Sequence, residues 1–209
     1  MIQGNCPSCG VQIIFKSKVS LYMVCPSCSS FVLRKDLDLE RIGVIAELQD
    51  DGTPLRLGTC GRFKGRSFEV IGRIQLQFPA GYWNEWYLSF PEQKDGWLGE
   101  TQGLYGVNFR TPVLTPVPAY EQMTPGKKVQ INNELFEVKE VQAATCIGGE
   151  GELPFAIESD YIAPVVDLGS PSTRFATIDY SETPPIVFTG DWCEFDQFEF
   201  INLREVPGW

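Results

Sequence analysis

The chain has 209 residues, enough for one or two domains with a real core, and 35 of them are Gly or Pro, which favours many short elements over long helices. Its net charge of −10 opposes nonspecific binding to nucleic acid or to an anionic membrane, since both need positive charge against phosphate. It contains no histidine, which excludes Ser-His-Asp and Cys-His nucleophiles, His-metal catalytic sites and imidazole switches within the chain.

No apolar run approaches the ~20 residues that span a bilayer, and the start, Met1-Ile2-Gln3-Gly4, lacks the charged and apolar regions of a signal peptide. A cytoplasmic protein is expected. Cys6-Pro7-Ser8-Cys9-Gly10 and Cys25-Pro26-Ser27-Cys28-Ser29 are two C-x-x-C knuckles at the spacing of a four-cysteine zinc site. Four thiolates around one ion make a closed tetrahedral site with no open position for water or substrate. The expected cofactor is therefore one structural Zn2+ on Cys6, Cys9, Cys25 and Cys28. Two disulfides or a redox pair are the alternatives; the duplicated knuckle and the missing secretion signal favour metal. Val11–Phe15 and Val19–Val24 read as a hairpin that brings the knuckles together across Lys16-Ser17-Lys18. Gly10 suits a left-handed residue after the first knuckle, and Ser29 holds that place in the second. Residues 1–35 carry four basic side chains and no acidic one, so the remainder carries −14. Lys16, Lys18, Arg34 and Lys35 read as partial balance for the negative thiolate centre; nucleic-acid contact through them is the less favoured reading.

After Asp36–Glu40, the apolar Ile42–Leu48 leans toward strand, and Asp50–Pro54 is a turn cluster. Gly61–Gln77 reads as a β-hairpin around Lys64-Gly65. Its second strand alternates apolar (68, 70, 74, 76) with polar (69, 73, 75, 77), which predicts one buried face and one wet face. Gly58 and Phe68-Glu69-Val70 recur as Gly126 and Phe136-Glu137-Val138, an offset of 68 residues. Gly65 aligns with Asn133, and both residue types tolerate positive φ, so the match predicts a structural repeat. Along Trp83–Phe90, the side chains of Asn84, Trp86, Leu88 and Phe90 form the natural core face. Trp83, Glu85, Tyr87 and Ser89 share the other. A partner strand over 97–109 would cluster Trp83, Tyr87 and Trp97. The functional reading is a ligand or partner surface with Glu85 and Glu100 near aromatic rings; a Trp-rich core closing a small barrel is favoured over it. Thr111–Ala119, with three prolines, is an extended connector.

In the second half the hairpin recurs over Met123–Gln142, and Gly148–Phe155 falls at the place of the Trp83–Tyr87 strand. The glycines there have no Lys-Ser/Thr ending, so a phosphate loop is rejected. Tyr161–Leu168, Arg174–Tyr180 and a stretch through Phe200 read as further strands. Asp167, Asp179, Glu152 and Glu182 could approach one another, but a solvated surface is the favoured reading. Cys60, Cys146 and Cys193 are isolated; Arg62 beside Cys60 could lower its thiol pKa, with a buried, inert cysteine preferred.

These features resemble a bacterial family that joins an N-terminal four-cysteine zinc ribbon to a repeated β-rich domain of unknown function. The residues that carry the resemblance are the two knuckles, Gly72-Arg73, Trp83–Tyr87, Gly96-Trp97-Leu98, Gly151–Pro154 and Phe175–Tyr180. The resemblance implies an accessory protein in gene neighbourhoods with polyamine-synthase-like and membrane-stress proteins. Some relatives look longer at the C-terminus, with further β units or membrane helices; this chain reads either as a short form or as a piece of a longer protein.

The expected fold is mainly β: a zinc ribbon (1–35), a connector (36–54) and a duplicated β-hairpin-rich barrel or sandwich of two units (55–122 and 123–209). The expected function is a non-enzymatic adaptor whose acidic, aromatic-bearing surface (Trp83, Glu85, Tyr87, Trp97, Glu100, Glu152, Asp179) engages a protein partner. One alternative is a carboxylate-based enzyme or a binder of small cations such as polyamines, which requires Glu85, Glu100, Glu152 and Asp179 to converge. Another is nucleic-acid binding through the ribbon. A membrane link is expected only through a partner or a missing C-terminal region.

Overall fold

The computed structural model describes residues 2–35, 38–46, 48, 51–79, 81–91, 94–157 and 162–206. The first knuckle is flanked by β1 (Ile2–Asn5) and β2 (Gln12–Phe15), which pair with each other. The second is flanked by β3 (Tyr22–Val24) and β4 (Ser30–Lys35), and β4 carries β5 (Asp38–Val44) on its other edge. Each knuckle therefore closes its own hairpin, and the single hairpin expected over residues 11–24 does not form. The reason is local: a knuckle reverses the chain by itself. The Gly10 amide donates to Cys6 O at 2.9 Å and the Ser29 amide to Cys25 O at 3.0 Å. Gly10 (φ 77°) and Ser29 (φ 54°) are both left-handed, as those turns require. The strand expected at 42–48 sits earlier, at 38–44; Asp36, Leu37, Glu47 and Asp50 lie outside the described residues.

From Cys60 the chain runs through two five-strand meanders. The first is β6 (Cys60–Phe63), β7 (Arg66–Phe78), β8 (Gly81–Phe90), β9 (Lys94–Thr101) and β10 (Leu104–Arg110). The second is β11 (Lys128–Ile131), β12 (Glu134–Leu153), β13 (Ile162–Gly169), β14 (Arg174–Asp179) and β15 (Ile186–Cys193). The run expected as one strand over 97–109 is two, because Gln102 and Gly103 turn the chain with positive φ. Antiparallel pairing of β7 with β12 and of β10 with β15 closes β7-β8-β9-β10-β15-β14-β13-β12 into an eight-stranded barrel.

The two hairpins agree in register at the 68-residue offset. Cys60 pairs with Glu69 and Phe63 with Arg66; Lys128 pairs with Glu137 and Ile131 with Glu134. The Gly58 amide donates to Val70 O, and the Gly126 amide to Val138 O, both at 2.8 Å. A bulge follows at Val70/Gly72 in one and Val138/Glu140 in the other. In the second turn the left-handed residue is Asn132, at the place of Lys64, one position before the Asn133 singled out by sequence. Beyond the bulge, Gly72 faces Tyr87 and Glu140 faces Asp167. The place of Trp83–Tyr87 is therefore taken by Ala163–Asp167, and Gly148–Leu153 is instead the far half of the twenty-residue β12.

Alternation along the strands gives two buried faces. Ile74, Leu76, Trp83, Tyr87 and Trp97 point into the barrel, where they meet Ala144, Cys146, Val165 and Phe188 from the second meander. Outside the wall each meander has its own core. Trp86, Leu88, Leu98 and Val107 pack beneath Leu55 and Phe198. Val138, Val166, Ile178 and Val187 pack beneath Met123, Val113 and Val117. The polar side of β7 is consequently not wet: Arg73 and Gln75 are buried under the connector. The end of the chain is a 3-10 turn (Phe195–Phe198) and not a strand, and Phe198 and Phe200 pack edge-on against Phe68.

A Cβ on Gly72 would sit 1.8 Å from Glu152 O, a backbone atom of the strand next door. Gly72→Ala should lower stability by at least ~2 kcal/mol in urea unfolding, since overpacking against backbone relaxes poorly.

Candidate functional site

The four knuckle cysteines bring their Sγ atoms within 4.8 Å of one another. Cys6 Sγ lies 3.8 Å from Cys28 Sγ, and Cys9 Sγ 3.7 Å from Cys25 Sγ. A disulfide needs about 2.05 Å. Tetrahedral thiolates at about 2.3 Å from an ion stand about 3.8 Å apart, so the quartet fits a metal ion and leaves no vertex free. Cys6 and Cys25 are buried beside Ile13, Phe15, Met23 and Val32, a core of the ribbon's own.

The ribbon is fastened to the barrel by one strand and one carboxylate. β3 pairs with the end of β12 through Val24–Gly151, Met23–Glu152 and Tyr22–Leu153. Glu152, 2% exposed, accepts the backbone amides of Lys16 (2.6 Å) and Ser17 (3.0 Å). Burial raises its pKa, and those two amides pull against the shift. Val24, Phe31 and Ile45 pack against Ile74, Tyr87, Trp97 and Leu153, so the ribbon closes one end of the barrel. Three of the four basic side chains of this region have partners within the chain. Lys16 pairs with Glu69 and Lys35 with Glu40, while Arg34 is buried, donates to Ser17 O and Lys18 O, and lies over the Phe15 ring.

Outside the barrel wall lies a buried polar network that sequence reading missed. Arg73 pairs with Asp51, whose side chain is 4% exposed, and stacks 4.6 Å from the Trp86 ring centre. Asn84 Oδ1 accepts from Arg73 Nη2 (2.7 Å), and Asn84 Nδ2 donates to Asp51 (2.7 Å) and Glu100 (3.1 Å). Glu100 also accepts from Trp86 Nε1 (2.8 Å) and Thr53 Oγ1 (2.7 Å). The network straps the connector to β7, β8 and β9. Its sequence signal was the Arg73–Gln75 pair on a strand whose other face is apolar.

The seven candidate surface residues therefore do not form one surface. Glu85 and Glu100 lie on opposite faces of the wall, since Glu100 pairs with Asn84 and Gly99 with Glu85. Tyr87 and Trp97 are buried, with ring centres 4.9 Å apart; Trp83 instead meets Phe78 at 5.4 Å. Glu152 is at the ribbon junction, and Asp179 caps the Ser181 amide at 2.8 Å. The carboxylate convergence that the enzyme alternative requires is absent. Glu85 lies inside the barrel, where burial pushes its pKa up to about 7; Trp83 Nε1 at 3.0 Å opposes the shift and the charge of Asp167 adds to it. Asp167 is also raised by burial, not solvated as expected, and accepts from Thr177 and Gln142. Cys60 is raised by burial and by Glu69, so Arg62 does not activate it. Burial raises Cys193 and pushes Cys146 up to about 11.

A sequence model of the domain of unknown function DUF4178 matches residues 56–195, two thirds of the chain. The chain belongs to this family. No curated protein and no solved structure matches it. The DUF4178 match covers both meanders and begins after the thiolate quartet and the strap residues Asp51 and Thr53. No helix among the described residues is long and apolar enough to cross a membrane.

Arg73→Leu would leave the Asp51 carboxylate buried and unpaired, and should cost ~3–5 kcal/mol in urea unfolding, with partial recovery on adding Asp51→Asn. Glu85 has a folded pKa above its usual 4.5, so its contribution to stability is fully present below about pH 4.5 and is lost as pH rises through about 7. Glu85→Gln should abolish that decline. Relative to the variant, the native chain should lose on the order of 3 kcal/mol between pH 4 and 8.5, read from urea midpoints.

Proposed function

We propose that the chain is a non-enzymatic adaptor: a ribbon holding one structural Zn2+, fixed to the end of a DUF4178 barrel and engaging a protein partner in the cytoplasm. The observation that carries this reading is the closed thiolate quartet. Its sulfur spacing suits zinc, it offers no vertex for substrate, and the neighbouring Val24 and Phe31 are packed onto the barrel. The scattered carboxylates and the missing histidine support a non-catalytic role. The internally paired Lys16, Arg34 and Lys35 give nucleic-acid binding no support. The matching hairpins support reading the barrel as two copies of one unit.

The partner surface we favour is the ribbon. Val11, Ile14, Val19, Leu21, Ile42 and Val44 there are exposed apolar side chains, and β5 is the last strand of its sheet. An edge strand with apolar side chains suits a partner that adds a strand of its own. The family resemblance adds a bacterial setting among membrane-stress and polyamine-linked proteins, with any membrane contact made through the partner.

Elemental analysis should find about one zinc per chain, and Cys25→Ser should abolish it. Affinity capture from the native host should then enrich a protein that binds the native chain and is lost with Val44→Lys, which leaves the metal in place. A metal-free native chain, or capture indifferent to both variants, would sink the reading.

A further inference from the structure

Inside the barrel, hydrogen-bond acceptors and negative charge outnumber anything present to satisfy them. Glu85 projects inward from β8 and Asp167 from β13, and among the described residues neither makes an ion pair. Glu85 takes one hydrogen bond, from Trp83 Nε1 at 3.0 Å. Asp167 takes two, from Thr177 Oγ1 at 2.7 Å and Gln142 Nε2 at 3.1 Å. A carboxylate offers about four lone-pair positions, so both have acceptor capacity left over. The charges acting on them are other carboxylates: Asp167 on Glu85, and Glu140 on Asp167.

An independent observation points the same way. Asn108, on the inward face of β10, is 7% exposed, and its Oδ1 has no partner. Gln142 Oε1, beside Asp167, is likewise buried without one. The Glu85 carboxylate oxygens lie 3.6 and 3.8 Å from where a Cβ of Gly99 would be, and Gly99 pairs with Gly106, two residues before Asn108 on the same face. The remaining two orphan groups, the hydroxyls of Ser20 and Tyr87, belong to the ribbon junction, where Tyr87 faces Asp95 and Ser17. Among the described residues, the two orphan amide oxygens of the barrel, Asn108 Oδ1 and Gln142 Oε1, are both acceptors.

What would complete such a surface is positive charge that donates hydrogen bonds. We propose that the barrel interior is a binding site for a small alkylammonium cation, its N–H groups directed at Glu85, Asp167, Asn108 Oδ1 and Gln142 Oε1. An ammonium group has three donors and no acceptor, matching the imbalance. Trp83 and Trp97, on the same face as Glu85, supply aromatic walls for the cation and its alkyl chain. A coordinated metal ion fits less well: among the described residues, the knuckle cysteines are the one group of three or more ligand atoms close enough to share an ion. The site uses none of the exposed ribbon residues favoured above as the partner surface, and it stands or falls separately from that reading.

The test is calorimetric titration of the zinc-loaded full chain with ethylammonium chloride at pH 8 and constant ionic strength. Tetramethylammonium, which has charge but no N–H, is the control. Saturable binding of one ethylammonium per chain is expected, with tetramethylammonium at least about tenfold weaker, as the loss of charge-assisted hydrogen bonds implies. Affinity should fall between pH 8 and 6 as Glu85 takes up a proton; among the described residues Asp95, Asp167, Asp179, Glu140, Tyr87 and Cys146 are the other titratable groups of the interior face and its rim, with Arg110 also on that face and Lys139 at the rim paired to Glu137. Asn108→Ser and Glu85→Gln should each weaken binding about tenfold or more. Should Glu85→Gln fail to fold, the tetramethylammonium and pH comparisons on the native chain still decide. No saturable heat would overturn the proposal. So would equal binding of the two cations, or affinities unchanged in a folded variant.

Discussion

One strand has to satisfy neighbours on several sides, and the rest of the molecule follows from it. β12 pairs with β11 and β13 along its first twelve residues, closes the barrel against β7 through 146–151, and receives the ribbon strand β3 at 151–153. A strand can exchange partners along its length only where backbones approach without side chains between them. Gly151 on β12, paired with Gly72 on β7, provides that approach, with Gly149 beside Arg73 O and Gly148 beneath Ala46 and Leu48. The glycine cluster that has the look of a ligand loop is thus where three parts of the molecule share one backbone.

Polar groups are arranged on both sides of the barrel wall with opposite consequences. Outside, Arg73, Asp51, Asn84 and Glu100 satisfy one another, so the strap binds in one register and not merely as an apolar cover. Such networks are weak as sources of stability but specific about geometry. Inside, burial raises the pKa values of Glu85 and Asp167, a neighbouring carboxylate adds to each rise, and the few hydrogen bonds they accept only oppose it. The first arrangement is complete within the chain. The second is left open.

Features set by neighbours in sequence were legible; those set by distant chain were not. The knuckles and the two matched hairpins depend on short turns, and the structure has them in register. The ribbon hairpins were mispaired because strand propensity over 11–15 and 19–24 does not say which strand each will meet. The counterpart of Trp83–Tyr87 was misplaced because β12 is longer than β7 and more residues separate it from the next strand, which together move the offset from 68 to 80 beyond the bulge. The polar stripe of β7 promised a wet face. Residues 51–55 and 195–203, remote in sequence, cover that side of the first meander, and period-two alternation holds no record of them. The same limit hid the interior: alternation placed Glu85 opposite Trp86, but closing the sheet decided which of the two faces became the inside.

The core shared by Val24, Phe31 and Ile45 with Tyr87, Trp97 and Leu153 has a thermodynamic consequence. The ribbon cannot unravel without stripping cover from the barrel, so an ion held by the cysteines and a molecule held within would be coupled through a common folded state. Whatever free energy the ion lends to the barrel's occupant, the occupant returns to the ion in equal measure. A knuckle far too small to fold by itself thereby becomes a reporter of events well inside the neighbouring domain.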